Sequence, residues 1–193
     1  LLLTKGFRGT NIFRTVFFMP NLIGGIILGY IWQQMINAVL LKYETTLVAN
    51  PTYGFWGLVI LMNWQMIGYM MIIYVAGLQN VPTDLIEAAQ IDGAGPIQLF
   101  FYVTIPLLTP TIFFVMITSI ISGFQVFDVI YMMIGKTNPA YANTQTVVML
   151  FYRQAFDYGY KGYAAAISIL IFAVIMLVTV IQMIGQKKWV NYD

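Results

Sequence analysis

The chain has 193 residues, of which 60% are hydrophobic and only 8% are charged, and its mean hydropathy is +0.81. A soluble globular domain carries about a quarter of charged residues, so these charges are too few to cover a globule in water. The composition therefore indicates an integral membrane protein. The net charge of +2 gives no reason to expect a nucleic-acid partner. Because cysteine and histidine are absent, disulfides, thiolate catalysis and the commonest zinc sites are excluded.

Long hydrophobic runs in the chain predict transmembrane helices. About 20 apolar residues are needed to cross a hydrocarbon core of about 30 Å, and four runs meet this length, at about 15–36, 54–79, 107–134 and 163–184. The leucines at 1–3 are interpreted as the end of a helix whose beginning is missing. The predicted fold is all-α: a polytopic transmembrane helical bundle of about four complete spans, an N-terminal helix stub and short helices in the loop between the second and third spans. We treat 1–193 as a single transmembrane domain that lacks its N-terminal helices.

Two features are expected to shape the first and third spans. Pro20 should bend or tighten the first span, and Gly25 and Gly29 share a face on which another helix can pack closely. In the third span, Gln125 and Asp128 are three apart and are predicted to share one helical face. Counting along a continuous helix puts Asp128 near the far membrane surface, which favours a structural role, paired with an amide or a basic group.

The polar loop at 82–106 separates the second and third spans. Thr83 or Asp84 is expected to cap a short helix in which Glu87 occupies a capping-box-like position. Gly93 should end that helix in a left-handed conformation, and a second short helix should follow. Pro106 should then mark the entry to the third span. A separate segment at 144–156 is too short to span and is predicted to be an interfacial helix.

The loop carries a recognisable pattern. Glu87-Ala88-Ala89 is followed after three residues by Gly93 and, further on, by Val103-Thr104-Ile105-Pro106. This pattern resembles the cytoplasmic coupling loop of ATP-binding-cassette importer permeases, with Val103 and Ile105 as conservative departures. The form with Asp92-Gly93-Ala94 is similar to the carbohydrate-uptake branch, of the maltose and glycerol-phosphate type. The alternative is a solvated connector with no partner.

This resemblance implies a set of partners. The chain would pair with a second homologous permease subunit, two ATPase subunits and an extracytoplasmic solute-binding protein, in the cytoplasmic membrane of a bacterium or archaeon. Glu87, Ala88, Ala89, Asp92 and Gly93 would couple it to the ATPases. The chain has no G-x-x-x-x-G-K-[ST] motif, so ATP and Mg would be bound by the partner subunits. We expect no cofactor, metal site or catalytic residue in the chain itself, and we do not expect it to be an enzyme.

Residual polarity within the spans marks a candidate solute path. Amides buried in a bilayer are costly unless they find partners or face a wet cavity. The candidates are Asn63, Trp64, Gln65, Ser119, Ser122 and Gln125. Neutral hydrogen bonders and aromatic faces suit a sugar, and no span interior contains the arginine that an anion would favour. Glycerol phosphate, a polyamine or another small polar solute remains an alternative, and an intramembrane enzyme is a remote one.

Overall fold

A computed structural model describes Thr4, Gly9–Ile134, Tyr141 and Thr144–Val190. Within these residues the fold is entirely helical, as predicted. The elements are α1 (Thr10–Leu22), α2 (Gly25–Leu40), a 3-10 turn (Leu41–Tyr43), α3 (Pro51–Gln79), α4 (Thr83–Ile91), α5 (Pro96–Leu99), a π-helical turn (Phe100–Thr104), α6 (Ile105–Phe124), α7 (Asp128–Met133), α8 (Val147–Tyr152), a second π-helical turn (Arg153–Asp157) and α9 (Lys161–Gln186). The predicted N-terminal stub at 1–3 lies outside the described residues.

Three helices in the described chain are long and apolar enough to cross a membrane. They are Pro51–Gln79, Pro96–Phe124 and Lys161–Gln186, of 29, 29 and 26 residues. At 1.5 Å per residue, each is about 40 Å long and exceeds the hydrocarbon thickness of about 30 Å. The second and fourth predicted spans are therefore confirmed. The segment at 144–156 is a short helix followed by a π-helical turn, and its position at a membrane surface stays a prediction.

The prediction of a continuous first span is wrong. The run is divided into α1 and α2, and the α1 axis meets that of Gly25–Tyr43 at 111°. Ile23 is extended, with φ −104° and ψ 132°, and Gly24 and Gly25 follow, the residue type with the lowest helix propensity apart from proline. The predicted bend does occur, but the helix ends two residues after Pro20 rather than curving at it. Together the two helices form either one broken span or a re-entrant pair.

The third span begins earlier than predicted. Its helix starts at Pro96 and runs through the π-helical turn and past both Pro106 and Pro110. Pro110 has no N–H to donate to the carbonyl of Pro106, but the Thr109 hydroxyl donates to that oxygen at 2.7 Å. The helix therefore absorbs both prolines. The predicted second short helix of the loop is thus the first turn of this span.

This span also ends earlier than predicted. α6 stops at Phe124, Gln125 is its C-cap, and Asp128 begins a separate helix. The expectation that Gln125 and Asp128 share one face of a continuous helix is therefore wrong. The depth estimated for Asp128 by counting along that helix fails for the same reason, because the chain turns at 125–127.

The main core lies where α2, α3, α7 and α8 meet. It contains nine buried apolar side chains: Leu28, Leu47, Leu58, Leu61, Val129, Ile130, Met133, Ile134 and Met149. Two hydrogen bonds tie the helices together at its edge. Trp32 Nε1 donates to the carbonyl of Gly57 at 2.9 Å, and Gln33 Nε2 donates to that of Met133 at 3.3 Å. Polar side chains thus satisfy backbone carbonyls across helix boundaries.

Glycines allow several close helix contacts, and three of them bear on the cavity between α1, α3 and the α6–α7 junction. A β-carbon at Gly25 would lie 2.9 Å from Asp128 Cβ, and one at Gly29 would lie 3.3 Å from Met132 Cβ. The predicted packing face on α2 is confirmed, and the helix that covers it is α7. The tightest contact was not predicted: a β-carbon at Gly68 of α3 would overlap the backbone carbonyl of Phe17 in α1.

Asn50 caps α3, and its removal tests how much this cap stabilises the fold. Its side-chain oxygen accepts from the N–H of Thr52 at 2.9 Å, and Pro51 occupies the first helical position. We expect Asn50→Ala to cost about 1 kcal/mol of stability, measured as a lower thermal midpoint of the purified protein. Asn50→Ser retains an acceptor oxygen and should remain close to wild type. Equal midpoints for alanine and serine would contradict the capping role.

Candidate functional site

A cavity opens between α1, α3 and the α6–α7 junction. Its volume is about 380 Å³, and its lining residues are Asn21, Gly25, Met62, Gln65, Met66, Tyr69, Ser122, Gly123, Gln125, Val126, Phe127, Asp128 and Val129. Three elements of the fold bring them together: the break after α1, the face of α3 centred on Met66, and the turn that ends α6. The cavity is therefore a product of the two interruptions in otherwise continuous apolar runs.

The lining combines neutral hydrogen bonders, aromatic rings and one acid. Asn21, Gln65 and Gln125 contribute amides, Ser122 and Tyr69 contribute hydroxyls, and Phe127 contributes a ring face. The Asn21 amide is held in place because its Nδ2 donates to the carbonyl of Gln65 at 3.0 Å. Such a surface suits a polar, uncharged ligand with several hydroxyl groups.

The predicted solute-path residues fall into two groups. Gln65, Ser122 and Gln125 line the cavity. Asn63 lies on an exposed face of α3, where its Nδ2 donates to Val59 of the preceding turn at 2.8 Å. Trp64 packs against the core, with its ring 5.7 Å from that of Trp32. Ser119 Oγ is buried and has no hydrogen-bond partner among the described residues.

Sequence reasoning missed ten of the thirteen described lining residues, among them Asn21, Gly25, Tyr69 and Asp128. Tyr69 is one helical turn from Gln65, so helical spacing alone could have indicated it. Asn21 precedes the Gly24-Gly25 break, and Asp128 follows a turn that was read as continuous helix. These two helix breaks place Asn21 and Asp128 in the cavity wall, and neither break was predicted from the sequence.

A second structured site is the turn between α4 and α5. The N–H of Gly93 donates to the backbone carbonyl of Gln90 at 3.0 Å, and the N–H of Ala94 donates to the backbone carbonyl of Ala89 at 2.9 Å. Together these two bonds form a Schellman motif. Gly93 has φ +83°, a conformation that glycine adopts without a steric penalty. The predicted helix stop at Gly93 is therefore confirmed.

The predicted helix start is corrected. The N-cap of α4 is Pro82, and no side chain caps the helix, so neither Thr83 nor Asp84 acts as expected. Both belong to the first turn, because the chain reaches helical geometry directly after Pro82. The side-chain contact occurs instead on the far side of the turn, where Gln98 Oε1 accepts from the N–H of Gly95 at 2.9 Å.

The surface around this turn is exposed and partly apolar. Glu87, Ala88, Asp92 and Gly93 are exposed and Ala89 is half-buried. Large apolar side chains project beside them, with Ile91 86% and Ile97 74% exposed. A shallow hollow lies next to the turn, lined by Ala89, Asp92, Gly93, Ala94, Gln98, Tyr102 and Val103. Exposed apolar groups of this size beside polar ones are typical of a protein interaction surface.

An aromatic cluster extends from the cavity to α8. The ring of Phe127 lies 5.3 Å from Tyr131 and 5.0 Å from Tyr152. Arg153 donates to the Tyr158 hydroxyl at 2.7 Å, and this hydrogen bond raises the pKa of Arg153. A hydrogen bond with Tyr131 is the largest cause that raises the pKa of Tyr152. The cluster fastens the α8 segment to the cavity rim.

These features define a class of protein. Apolar helices of membrane-spanning length, a polar cavity between them and a structured loop between two spans are typical of a multi-pass membrane transport component. The comparison with known families agrees, because residues 3–190 match the family described as the binding-protein-dependent transport system inner membrane component. The chain belongs to this family of transporter permeases.

The relatives carry names from one kind of system. The chain is 36% identical to a probable starch degradation products transport system permease of Thermoanaerobacterium thermosulfurigenes, a match covering 99% of this chain and 68% of the relative. It is 33% identical to a probable ABC transporter permease of Bacillus subtilis, over 100% of this chain and 66% of that protein. An arabinooligosaccharide permease of Bacillus subtilis is 34% identical, in a match that covers 90% of this chain and 58% of that protein. The chain thus spans about two thirds of the length of these relatives.

A solved structure supports the fold. The chain superposes on a bacterial ABC transporter involved in the import of the acidic polysaccharide alginate, with a TM-score of 0.83 and 18% identity, over 98% of this chain and 70% of that one. At this identity the likeness concerns the fold.

Proposed function

We propose that this chain is the permease subunit of an ATP-binding-cassette importer that takes up a sugar or sugar-like solute. The observation that carries the proposal is the cavity, which presents three amides, two hydroxyls and a ring face between membrane-length helices. The names of its relatives support it, because they include starch-product and arabinooligosaccharide permeases. Sugars are recognised through such neutral hydrogen bonders and stacking faces.

The α4–α5 turn is proposed to receive the mechanical input. Two backbone hydrogen bonds fix the turn at the end of α4, and Gln98 fixes the backbone at the start of the third span, so we propose that this short, structured connection transmits movement of α4 to that span. An ATPase subunit docked on Glu87, Ala88, Ala89, Asp92 and Gly93 would therefore move Pro96–Phe124, the helix that carries Ser122 into the cavity. ATP and Mg would be bound on that ATPase subunit.

The remaining partners follow from the same proposal. A second permease subunit and a second ATPase complete the transporter, and an extracytoplasmic binding protein delivers the solute. A related alginate transporter has been solved in complex with a pentasaccharide-bound periplasmic protein, which supports such a delivery step here. The setting would be the cytoplasmic membrane of a bacterium or archaeon, with α4 on the cytoplasmic side. Co-purification of the intact complex and identification of its chains by mass spectrometry tests this composition.

The cavity is tested by removing one amide from it. Gln125→Leu keeps most of the side-chain volume and removes the hydrogen-bonding groups. We expect uptake of a radiolabelled neutral oligosaccharide to fall about tenfold, since a lost hydrogen bond to a ligand typically costs about 1 kcal/mol or more. Uptake is measured in proteoliposomes that contain the complete importer with its binding protein.

Asn63→Leu is the matched control. Like Gln125, Asn63 is an exposed side-chain amide, but its Nδ2 donates to the carbonyl of Val59 within α3 and it does not line the cavity. We expect its uptake to stay within about twofold of wild type, in a complex assembled to the same extent. If Gln125→Leu transports normally while Asn63→Leu does not, the solute path lies on the other face of α3 and the cavity assignment is wrong.

A further inference from the structure

We propose that Asp128 gives the cavity a negative charge that selects against anionic solutes, so that the importer takes neutral saccharides and excludes sugar acids and sugar phosphates. The inference rests on the proposed function and narrows its substrate class. The charge of the solute differs among the chain's relatives and structural neighbours. Two relatives are named for starch products and arabinooligosaccharides, whereas one is named a glycerol-3-phosphate permease and a structural neighbour is involved in the import of the acidic polysaccharide alginate.

Asp128 is the one formally charged residue among the lining residues. Its side chain is exposed at the junction of α6 and α7, against Gly25 of α2. Within the described residues no hydrogen bond or salt bridge engages its carboxylate. The charge is therefore available to the solute and is not neutralised by a partner in the described chain.

No described basic residue of the lining offsets this charge. None of the lining residues that the structure describes is lysine or arginine. The nearest basic residue along a lining helix is Arg14, which precedes Asn21 by seven residues, or about 10 Å along α1. Arg14 is absent from the lining and its Nε is buried. Among the described residues of the lining, an anion thus meets a carboxylate and no compensating cation.

The absence of a side chain at Gly25 leaves room for Asp128 beside α2. The Asp128 Oδ2 lies 3.2 Å from the position of a Gly25 β-carbon, and its Cβ lies 2.9 Å from it. Only glycine leaves room for the acid at this point. The packing of α7 on α2, which the sequence indicated through Gly25 and Gly29, thereby positions the charge at the cavity wall. Two unlike charges attract and two like charges repel most strongly where water is partly excluded.

The test measures the charge of the cavity without using the solute. The 193 residues contain no cysteine, so a single Ser122→Cys places one thiol of this chain in the cavity. The intact importer is treated with cationic, neutral and anionic methanethiosulfonate reagents of similar size. Modification of the peptide containing residue 122 is followed by mass spectrometry, and rates are normalised to those of free 2-mercaptoethanol.

We expect the cationic reagent to modify Ser122→Cys about fivefold faster than the anionic one, because one unit charge about 8 Å away in water attracts the cation and repels the anion by about 0.5 kcal/mol each. Adding Asp128→Asn should bring this ratio close to one, and Asp128→Glu should keep it. A cysteine at Tyr43, which is 74% exposed in the α2–α3 connector, is the control. Its ratio should not respond to Asp128→Asn.

A ratio near one, or one that favours the anionic reagent, in the protein with native Asp128 would overturn the proposal. This outcome requires no Asp128 variant to fold. A ratio that survives Asp128→Asn would also overturn it, because the charge would then come from another group.

The transport arm separates this inference from the function on which it rests. In proteoliposomes with the complete importer, neutral maltooligosaccharides should be taken up and a uronic-acid oligosaccharide of equal length should not. Cation preference at residue 122 without uptake of any saccharide would contradict the proposed function and leave the cavity charge established. Uptake of the uronic-acid oligosaccharide at the rate of the neutral one would contradict the selection by Asp128. It would leave the proposed function intact.

Discussion

Replacing Gly68 with leucine is expected to abolish assembly of the folded protein. A β-carbon at this position would overlap the backbone carbonyl of Phe17 and would lie 2.9 Å from the Asn21 amide nitrogen. Backbone atoms cannot rotate out of the way as a side chain can, so α1 would have to move away from α3. Overpacking of a close contact costs about 1–3 kcal/mol, and leucine adds further carbons beyond the first. The measurements are the yield of monodisperse protein and its thermal midpoint.

The consequence extends to the cavity, because Asn21 is lost from its wall when α1 moves. Gly185→Ala in α9 is the matched control, since a β-carbon there has nothing within 4 Å. Alanine has a higher helix propensity than glycine, so this variant should be as stable as wild type or slightly more so. Normal yield and stability for Gly68→Leu would show that α1 does not pack on α3 at this point.

Replacing Gly93 with valine is expected to uncouple ATP hydrolysis from uptake. Gly93 has φ +83°, and a left-handed conformation costs a residue with a β-carbon about 1–2 kcal/mol, with valine worse because it is β-branched. The Schellman bonds that end α4 and set the direction of the chain into the next helix should then break or distort. We expect uptake to fall about tenfold while ATP hydrolysis continues, measured on the same reconstituted complex.

Gly95 provides the control two residues away. Its φ is −71°, and a β-carbon there would meet only Gln98 Oε1, at 3.7 Å, an ordinary contact. Gly95→Ala should therefore transport at close to the wild-type rate. Wild-type uptake and solute-stimulated hydrolysis in Gly93→Val would remove the coupling role of the turn. Glu87→Lys should act in the same direction by reversing the charge that α4 offers to an ATPase.

Local features of the site were predictable where a single residue type dictates the backbone. Gly93 was expected to end α4 in a left-handed conformation, and Gly25 and Gly29 were expected to admit a neighbouring helix; both are observed. Pro106 and Pro110 were not predictable in this way. A proline is compatible with a helix break or with a continuous helix. Here the Thr109 hydroxyl donates to the carbonyl of Pro106, and this bond favours the continuous helix.

The lining of the cavity was predictable only in part. Gln65, Ser122 and Gln125 were indicated because polar groups in apolar spans need partners, and all three line it. The same reasoning also selected Asn63, which satisfies its donor within its own helix turn. Polarity shows that a side chain needs a partner, whereas the direction in which that side chain points depends on the packing of its helix.

The sequence by itself determined the class of this protein: a lack of charge and runs of about 20 apolar residues leave a helical bundle in a membrane as the stable solution. It also determined the turn at Gly93, because local sterics decide that conformation. Only the tertiary structure decided where the runs are broken. The 111° bend between α1 and α2 and the end of α6 at Phe124 depend on how α1 packs on Gly68 and α7 on Gly25. Such contacts join residues far apart in the chain, and hydropathy carries no information about them. They place Asn21 and Asp128 in one cavity, and they therefore decide the chemistry of the site.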